Sequence, residues 1–197
     1  MRLLLASKST ARRHLLEAAG VPFEPCDAPL DEEAAKAELR ATGAGARALA
    51  AGLAERKALS VSADGSDLVL GADQTLECRD GSMLDKPASH EEAFAQLRAL
   101  SGTVHRLHAA AAIVQAGAVR WRRTATVSLH VRPLGEEFLH AYLDSEYEAI
   151  RHNVGGYRIE GPGVQLFSRI EGSHFAIMGL PLLPLLDYLR RRGLLKN

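Results

Sequence analysis

The sequence predicts an α/β fold, a mixed central β-sheet flanked by helices, on three observations. Leu3–Ala6 is an apolar run that does not alternate, the pattern of a strand buried on both faces. TATVSLHVRPL (124–134) alternates cleanly, with Ala125, Val127, Leu129 and Val131 on one face and Thr126, Ser128 and His130 on the other. Long stretches rich in alanine, leucine, glutamate, lysine and arginine separate the strands and favour helix. Connections of both hairpin and crossover type join these elements, which makes the sheet mixed.

Taken in order, a helix follows the first strand from Ser9 or Thr10. It turns Leu15, Leu16 and Ala19 inward, and Gly20 stops it. VPFEPC (21–26) is a second short extended piece bounded by prolines. The stretch 31–62 reads as two helices divided by Thr42-Gly43-Ala44-Gly45. DLVLGAD (67–73) is a strand expected to end at its glycine-containing turn, and RDGS (79–82) is a hairpin tip. Ser89 caps a helix over 89–100, with Glu91 and Glu92 in the first turn, where acidic groups suit the helix dipole. Two extended segments meet near Gln115-Ala116-Gly117, and GEEFLHAYLDSE (135–146) is an amphipathic helix. The glycine-dense NVGGYRIEGPG (153–163) leads into a strand expected over VQLFSRI (164–170). LPLLPLLDYLRRRGLL (180–195) closes as a helix with a basic last turn. No repeat, low-complexity tract or long linker interrupts the chain, so one domain over residues 1–197 is expected.

The 24 basic and 24 acidic residues give a formal net charge of +0. No nucleic acid polymer and no membrane is therefore expected as a partner, and any anion site must be built locally. Two cysteines, Cys26 and Cys78, form no C-x-x-C pair. That argues against a disulfide framework or a cysteine zinc site and suits a reducing cytosol. The start MRLLLASKS has no signal-peptide pattern and no apolar stretch is long enough to span a bilayer, so a soluble, cytoplasmic protein is expected.

Chemistry concentrates after the first strand. Ser7, Lys8, Ser9 and Thr10 precede Arg12 and Arg13 where unpaired helix N–H groups and the helix dipole favour an anion. Ser7 and Ser9 add hydroxyls, and the arginines add planar forks suited to phosphate oxygens. Successive helix residues point about 100° apart, so one arginine of the pair faces such a site directly. An ordinary capped turn with a solvated basic edge explains the same residues. Asp73 follows an apolar strand and Gly71, where α/β proteins keep their clefts, and suits a divalent cation or water activation; a turn aspartate is the bland alternative. Lys86, held extended before Pro87, could aim an ammonium at phosphate, and Glu32 and Lys57 could add a second carboxylate and a further cation. Each of these taken alone reads first as a surface charge. Neither G-x-G-x-x-G nor G-x-x-x-x-G-K-[ST] occurs, which disfavours dinucleotide and P-loop folds. His105 and His108 lie three apart on a strand, on opposite faces, and so do not make a metal pair. Tyr157, Arg158 and Glu160 could read a base edge or simply form a turn.

Together these pieces resemble the Maf family of nucleoside triphosphate pyrophosphatases. The family's opening L-A-S-x-S-P-R-R is close to Leu5-Ala6-Ser7-Lys8-Ser9-Thr10-Ala11-Arg12-Arg13, with Thr10-Ala11 in place of the proline. Its G-A/S-D matches Gly71-Ala72-Asp73, its K-P matches Lys86-Pro87, and its L-S-G-x-x-H matches 100–105. Gly155-Gly156-Tyr157, Glu160-Gly161 and Gly179-Leu180-Pro181-Leu182 complete the likeness over nearly the whole chain. The resemblance implies an inosine triphosphate pyrophosphatase-like fold, two lobes around a cleft, and hydrolysis of the α–β phosphoanhydride of a nucleoside triphosphate. It implies Asp73 as the catalytic and metal-side carboxylate, with Glu32 as the second. Ser7, Arg12, Arg13, Lys57 and Lys86 would serve the phosphates, Lys86 with a catalytic share. The cofactor would be a divalent cation, Mg2+ or Mn2+. Gln74 and Glu160 match the branch acting on 7-methyl-GTP-like nucleotides rather than the dTTP and UTP branch. A carboxylate only accepts hydrogen bonds, which suits a purine edge offering N–H donors. The resemblance leaves a homodimer, and a nucleotide-sensing role in cell division and septum formation, as further readings.

Overall fold

The structure, a computed structural model, describes residues 1–196. Its elements run β1 (Leu3–Ala6), α1 (Thr10–Ala18), β2 (Glu24–Pro25), α2 (Glu32–Ala41), α3 (Ala46–Leu59), β3 (Leu68–Glu77) and β4 (Met83–Leu84). They continue with α4 (His90–Leu100), β5 (Val104–Gln115), β6 (Ala118–Val131), α5 (Glu136–Ile150), β7 (Phe167–Glu171), α6 (His174–Ile177) and α7 (Leu182–Arg191). One mixed seven-stranded sheet has the order β2-β1-β3-β5-β6-β7, with β4 on β3. β1 pairs in parallel with both β2 and β3, while β3/β4 and β6/β7 are antiparallel. No helix among the described residues is long and apolar enough to cross a membrane.

Contacts divide the chain into two compact units. The first comprises residues 1–74, 109–125 and the segment from Ser173 onward; the second comprises 75–108 and 126–172. In the first unit, Leu3 and Leu5 of β1 and Leu68, Leu70 and Ala72 of β3 pack with Leu16 of α1 and Leu180, Leu185 and Leu189 around α7. Leu4, Ala6 and Val69 point to the opposite face, onto Ala58 of α3. Both faces of β1 and β3 are therefore covered, as the unbroken apolar run of β1 requires. Arg2 joins the starts of these strands: its backbone N–H donates to Asp67 Oδ1 at 2.9 Å and its guanidinium to Asp67 Oδ2 at 2.6 Å.

In the second unit, Leu97, Leu100, Leu139, Leu143 and Ile150 of α4 and α5 are buried, as are Leu76, Leu107, Val127 and Leu129 of the strands. The alternation expected of β6 holds, since Val127, Leu129 and Val131 are buried and their neighbours are not. His105 of β5 is buried beside Tyr157 and Phe167, with Nε2 2.7 Å from the Tyr157 hydroxyl. Its Nδ1 has no hydrogen-bond partner among the described residues.

Two boundaries differ from the sequence expectation. β3 does not end at a turn by Gly71 but runs on to Glu77, because Ala72 and Leu76 are fully buried and the strand goes on to pair with β4. The strand expected over VQLFSRI starts at Phe167, since Pro162–Leu166 forms a 3-10 turn with the proline at its start. Short α6 carries too little periodicity to be read from sequence. His105 and His108 point to different partners, as their odd spacing dictates.

Two measurements follow from this packing. Ala116 and Gly117, joining β5 to β6, both have positive φ, 51° and 72°, the turn that favours Asn-Gly. Ala116→Asn is expected to stabilise the protein by about 1 kcal/mol in chemical denaturation. Burial lowers the His105 pKa from 6.5 to about 4. Below pH 6.5 the unfolded chain binds a proton that the folded state refuses, so stability is complete above that pH. It should fall by up to about 3 kcal/mol as the pH approaches 4. His105→Gln should flatten this part of the profile. The lowered carboxyls of Asp67, Asp80 and Glu91 add their loss only at more acidic pH.

Candidate active site

The site begins with small residues. Ala46, Ala50, Ala54 and Ala58 recur every fourth position of α3 and all are buried, which gives the helix a flat face. Ala50 and Ala54 lie on Ala110 and Ala112 of β5. Gly71 completes the fit from β3. A Cβ there would overlap the Ala54 carbonyl oxygen and stand 2.6 Å from the Ala58 nitrogen. Strand and helix backbones therefore touch at this point.

That approach brings Lys57, on α3, to Asp73, two residues past Gly71 on the same face of β3. Lys57 is 7% exposed and Asp73 9%. The Lys57 Nζ donates to Asp73 Oδ1 at 2.7 Å and lies 3.0 Å from Glu32 Oε2. Glu32 opens α2, directly after Asp31, whose carboxylate caps the helix by accepting the Ala34 N–H at 3.0 Å. α2 is held on α3 by the Arg56–Glu38 ion pair at 2.6 Å. A buried ammonium thus meets two carboxylates from two other elements, the compensation that a buried charge needs.

Ser7 and Arg12 build the adjoining part. Ser9 caps α1 by accepting the Arg12 N–H at 3.4 Å, and Ser7 Oγ accepts the Ser9 N–H at 3.3 Å. Arg12 turns inward. Its Nη1 donates to Ser7 Oγ at 3.1 Å and to the Ala72 carbonyl at 3.0 Å, and its Nε donates to the Gly179 carbonyl at 3.0 Å. Gly179 holds φ of 100°, and a Cβ on it would press on the same guanidinium at 3.0 Å. Burial lowers the Arg12 pKa, while the negative charges of Asp73 and Glu32 oppose that shift. Arg13 is half-buried, and its Nε has no hydrogen-bond partner among the described residues.

The remaining candidates have other surroundings. Gln74 points to the other face of β3 from Asp73, and its amide donates to the Ala176 and Ile177 carbonyls of α6, both at 2.9 Å. Lys86 and Glu160 are exposed members of the second unit, Lys86 ahead of buried Pro87 and Glu160 in the turn before the 3-10 segment. The structure thus joins Ser7, Arg12, Lys57, Asp73 and Glu32. It gives Gln74 a structural duty that sequence reasoning did not foresee. Buried Glu146, which holds Arg158, was also missed. Its spacing from Leu139, Leu143 and Ile150 carried the signal, since all four fall on one helical face.

The carboxylates of Asp73 and Glu32 both converge on the Lys57 ammonium and so stand close together. That suits a hard dication whose other ligands are phosphate oxygens and water. No group of three His, Cys, Asp or Glu side chains able to hold a metal unaided occurs among the described residues.

A family model described as Maf-like protein matches residues 2–192. A nucleoside triphosphate pyrophosphatase of Sphingopyxis alaskensis is 46% identical over 195 residues, covering 98% of both chains. One of the same name from Nitrobacter winogradskyi is 48% identical over 194 residues, covering 98% of this chain and 95% of its own. A 7-methyl-GTP pyrophosphatase of Rhizobium johnstonii is 46% identical over 193 residues, covering 98% and 96%.

Because the Gly71 contact is with backbone, nothing flexible can yield to a side chain there. Gly71→Ala is expected to cost about 3 kcal/mol in chemical denaturation and to draw Lys57 away from Asp73.

Proposed function

The chain belongs to the Maf family, and we propose that it is a hydrolase splitting the α–β phosphoanhydride of a nucleoside triphosphate into monophosphate and pyrophosphate. The observation that carries this reading is the buried Lys57 held by Asp73 and Glu32 beside the Ser7–Arg12 corner. A triphosphate brings several negative charges, and hydrolysis at the α-phosphorus needs a water in line with the departing pyrophosphate. Asp73 keeps one carboxylate oxygen on Lys57 and has a second with which to orient that water and accept its proton. Arg13, Lys57 and Lys86 supply positive charge to the phosphate oxygens, and Ser7 supplies a hydroxyl. Arg12 spends three donor contacts on the protein itself and acts mainly by fixing Ser7 and the middle of β3.

Asp73 and Glu32 are the residues that would hold Mg2+ or Mn2+. Such a cation, when bound, neutralises and polarises phosphate oxygens. The setting this reading implies is a soluble, cytoplasmic enzyme.

For the base, Glu160 offers an acceptor-only carboxylate, which suits a purine edge carrying N–H donors and partly repels the carbonyls of a uracil edge. With the Gln74 amide committed to α6, Glu160 carries that preference. We read the substrate as a 7-methyl-GTP-like purine triphosphate, a reading supported by the name of the Rhizobium johnstonii relative. A dTTP or UTP pyrophosphatase is the competing enzyme. A nucleotide sensor acting in cell division and septum formation is the competing binding protein.

A panel of 7-methyl-GTP, GTP, UTP and dTTP, assayed for pyrophosphate with Mg2+ or Mn2+, separates the three. The purine reading expects 7-methyl-GTP to give the highest kcat/KM, and tight binding of all four without turnover would leave only the sensor. Asp73→Asn should keep the fold by circular dichroism and lose about 10²–10⁴-fold in kcat; undiminished turnover would remove Asp73 from the chemistry.

A further inference from the structure

The loop that carries Glu160 is braced far more heavily than a surface turn requires. Arg158, two residues earlier, donates from Nε to Glu146 Oε2 at 2.7 Å and from Nη2 to Glu146 Oε1 at 3.1 Å. Both carboxylate oxygens of Glu146 are thus held in one planar fork, and Glu146 is only 6% exposed on α5. The hydrogen bond to Glu146 raises the Arg158 pKa, and the negative charge of Glu160 adds to it. Two glycines after Glu160 press on the same arginine. A Cβ on Gly161 would stand 2.7 Å from Arg158 Nε, and one on Gly163 would stand 2.5 Å from the Arg158 carbonyl oxygen and 2.9 Å from the Tyr142 hydroxyl.

The loop before Glu160 is pinned in the same way. The Tyr142 hydroxyl donates to the Gly156 carbonyl at 3.3 Å, and Asn153 Nδ2 donates to the Tyr157 carbonyl at 3.1 Å. The Tyr157 hydroxyl meets His105. Residues on both sides of Glu160 are therefore tied to α5 or β5, while Glu160 itself projects into solvent.

Stability alone explains this poorly. A buried ion pair is often matched or bettered by apolar residues of similar size. What a two-point fork adds is a fixed angle. We propose that Glu146 and Arg158 are positioning residues: the bidentate pair sets the direction of the Glu160 carboxylate and so tunes which base the enzyme accepts. The pair acts through Glu160 and does not touch the phosphate chemistry. This inference rests on the reading of Glu160 as the base acceptor.

The test compares Glu146→Gln, Arg158→Lys and Glu160→Gln with the parent enzyme, measuring kcat and KM for 7-methyl-GTP and for UTP, together with thermal unfolding. Glu146→Gln keeps the shape and loses one charged oxygen. Arg158→Lys keeps the charge and loses the fork, at a side chain 35% exposed that tolerates exchange. Both are expected to raise KM for 7-methyl-GTP about tenfold, to keep kcat within about twofold, and to leave the UTP constants in place. Glu160→Gln should shift the preference in the same direction. If Glu160→Gln shifts it while Glu146→Gln and Arg158→Lys do not, positioning is overturned and base reading by Glu160 stands. Equal losses on both substrates with a lowered Tm would also overturn it, in favour of a purely structural pair. If Glu160→Gln changes nothing, base reading falls and the positioning inference falls with it. Should Glu146→Gln fail to fold, Arg158→Lys decides the question alone.

Discussion

A lysine ammonium shut between two carboxylates governs the first unit. Lys57 cannot be buried without charged partners, and Asp73 and Glu32 supply them from β3 and α2. The arrangement in turn depends on a missing side chain. Gly71 lets the β3 backbone rest on α3, and the alanines of α3 keep that helix flat enough to come so close. Three elements are fixed relative to one another by one cation.

Charge is divided by burial throughout the chain. Arg12, Lys57, Asp73 and Glu146 are nearly enclosed, and each is engaged by protein atoms at hydrogen-bonding distance. Lys86 and Glu160 stand in solvent. A group already satisfied by the protein holds its geometry, whereas one left in water is available to a ligand at little reorganisation cost. The enclosed set is held by the protein itself, and the solvated set is not.

Much of this was legible in the residues. The unbroken Leu3–Ala6 run, the Ser9 and Ser89 caps, the divided helices of 31–62 and the β5–β6 turn follow from local pattern, and all appear in the structure. The motif residues Ser7, Arg12 and Asp73 do lie together. What escaped was decided by distant contacts. Gly71 looked like a turn signal because a sequence does not reveal that a helix will lie across it. Gln74 follows Asp73 directly, but alternation sends it to the opposite face, onto carbonyls of a four-residue helix too short to foresee. The bonds from Arg12 Nε and Nη1 to Gly179 and Ala72 likewise join residues too distant for the sequence to show.

The bond from Arg12 to Gly179 joins residues 167 positions apart. On the ribosome, the first strand and helix emerge long before the glycine that satisfies their arginine, at a pace of about 5–20 residues per second. Until then Arg12 can reach Ser7 and the Ala72 carbonyl but lacks the acceptor for its Nε, so this corner gains its full set of bonds only once residue 179 has been added.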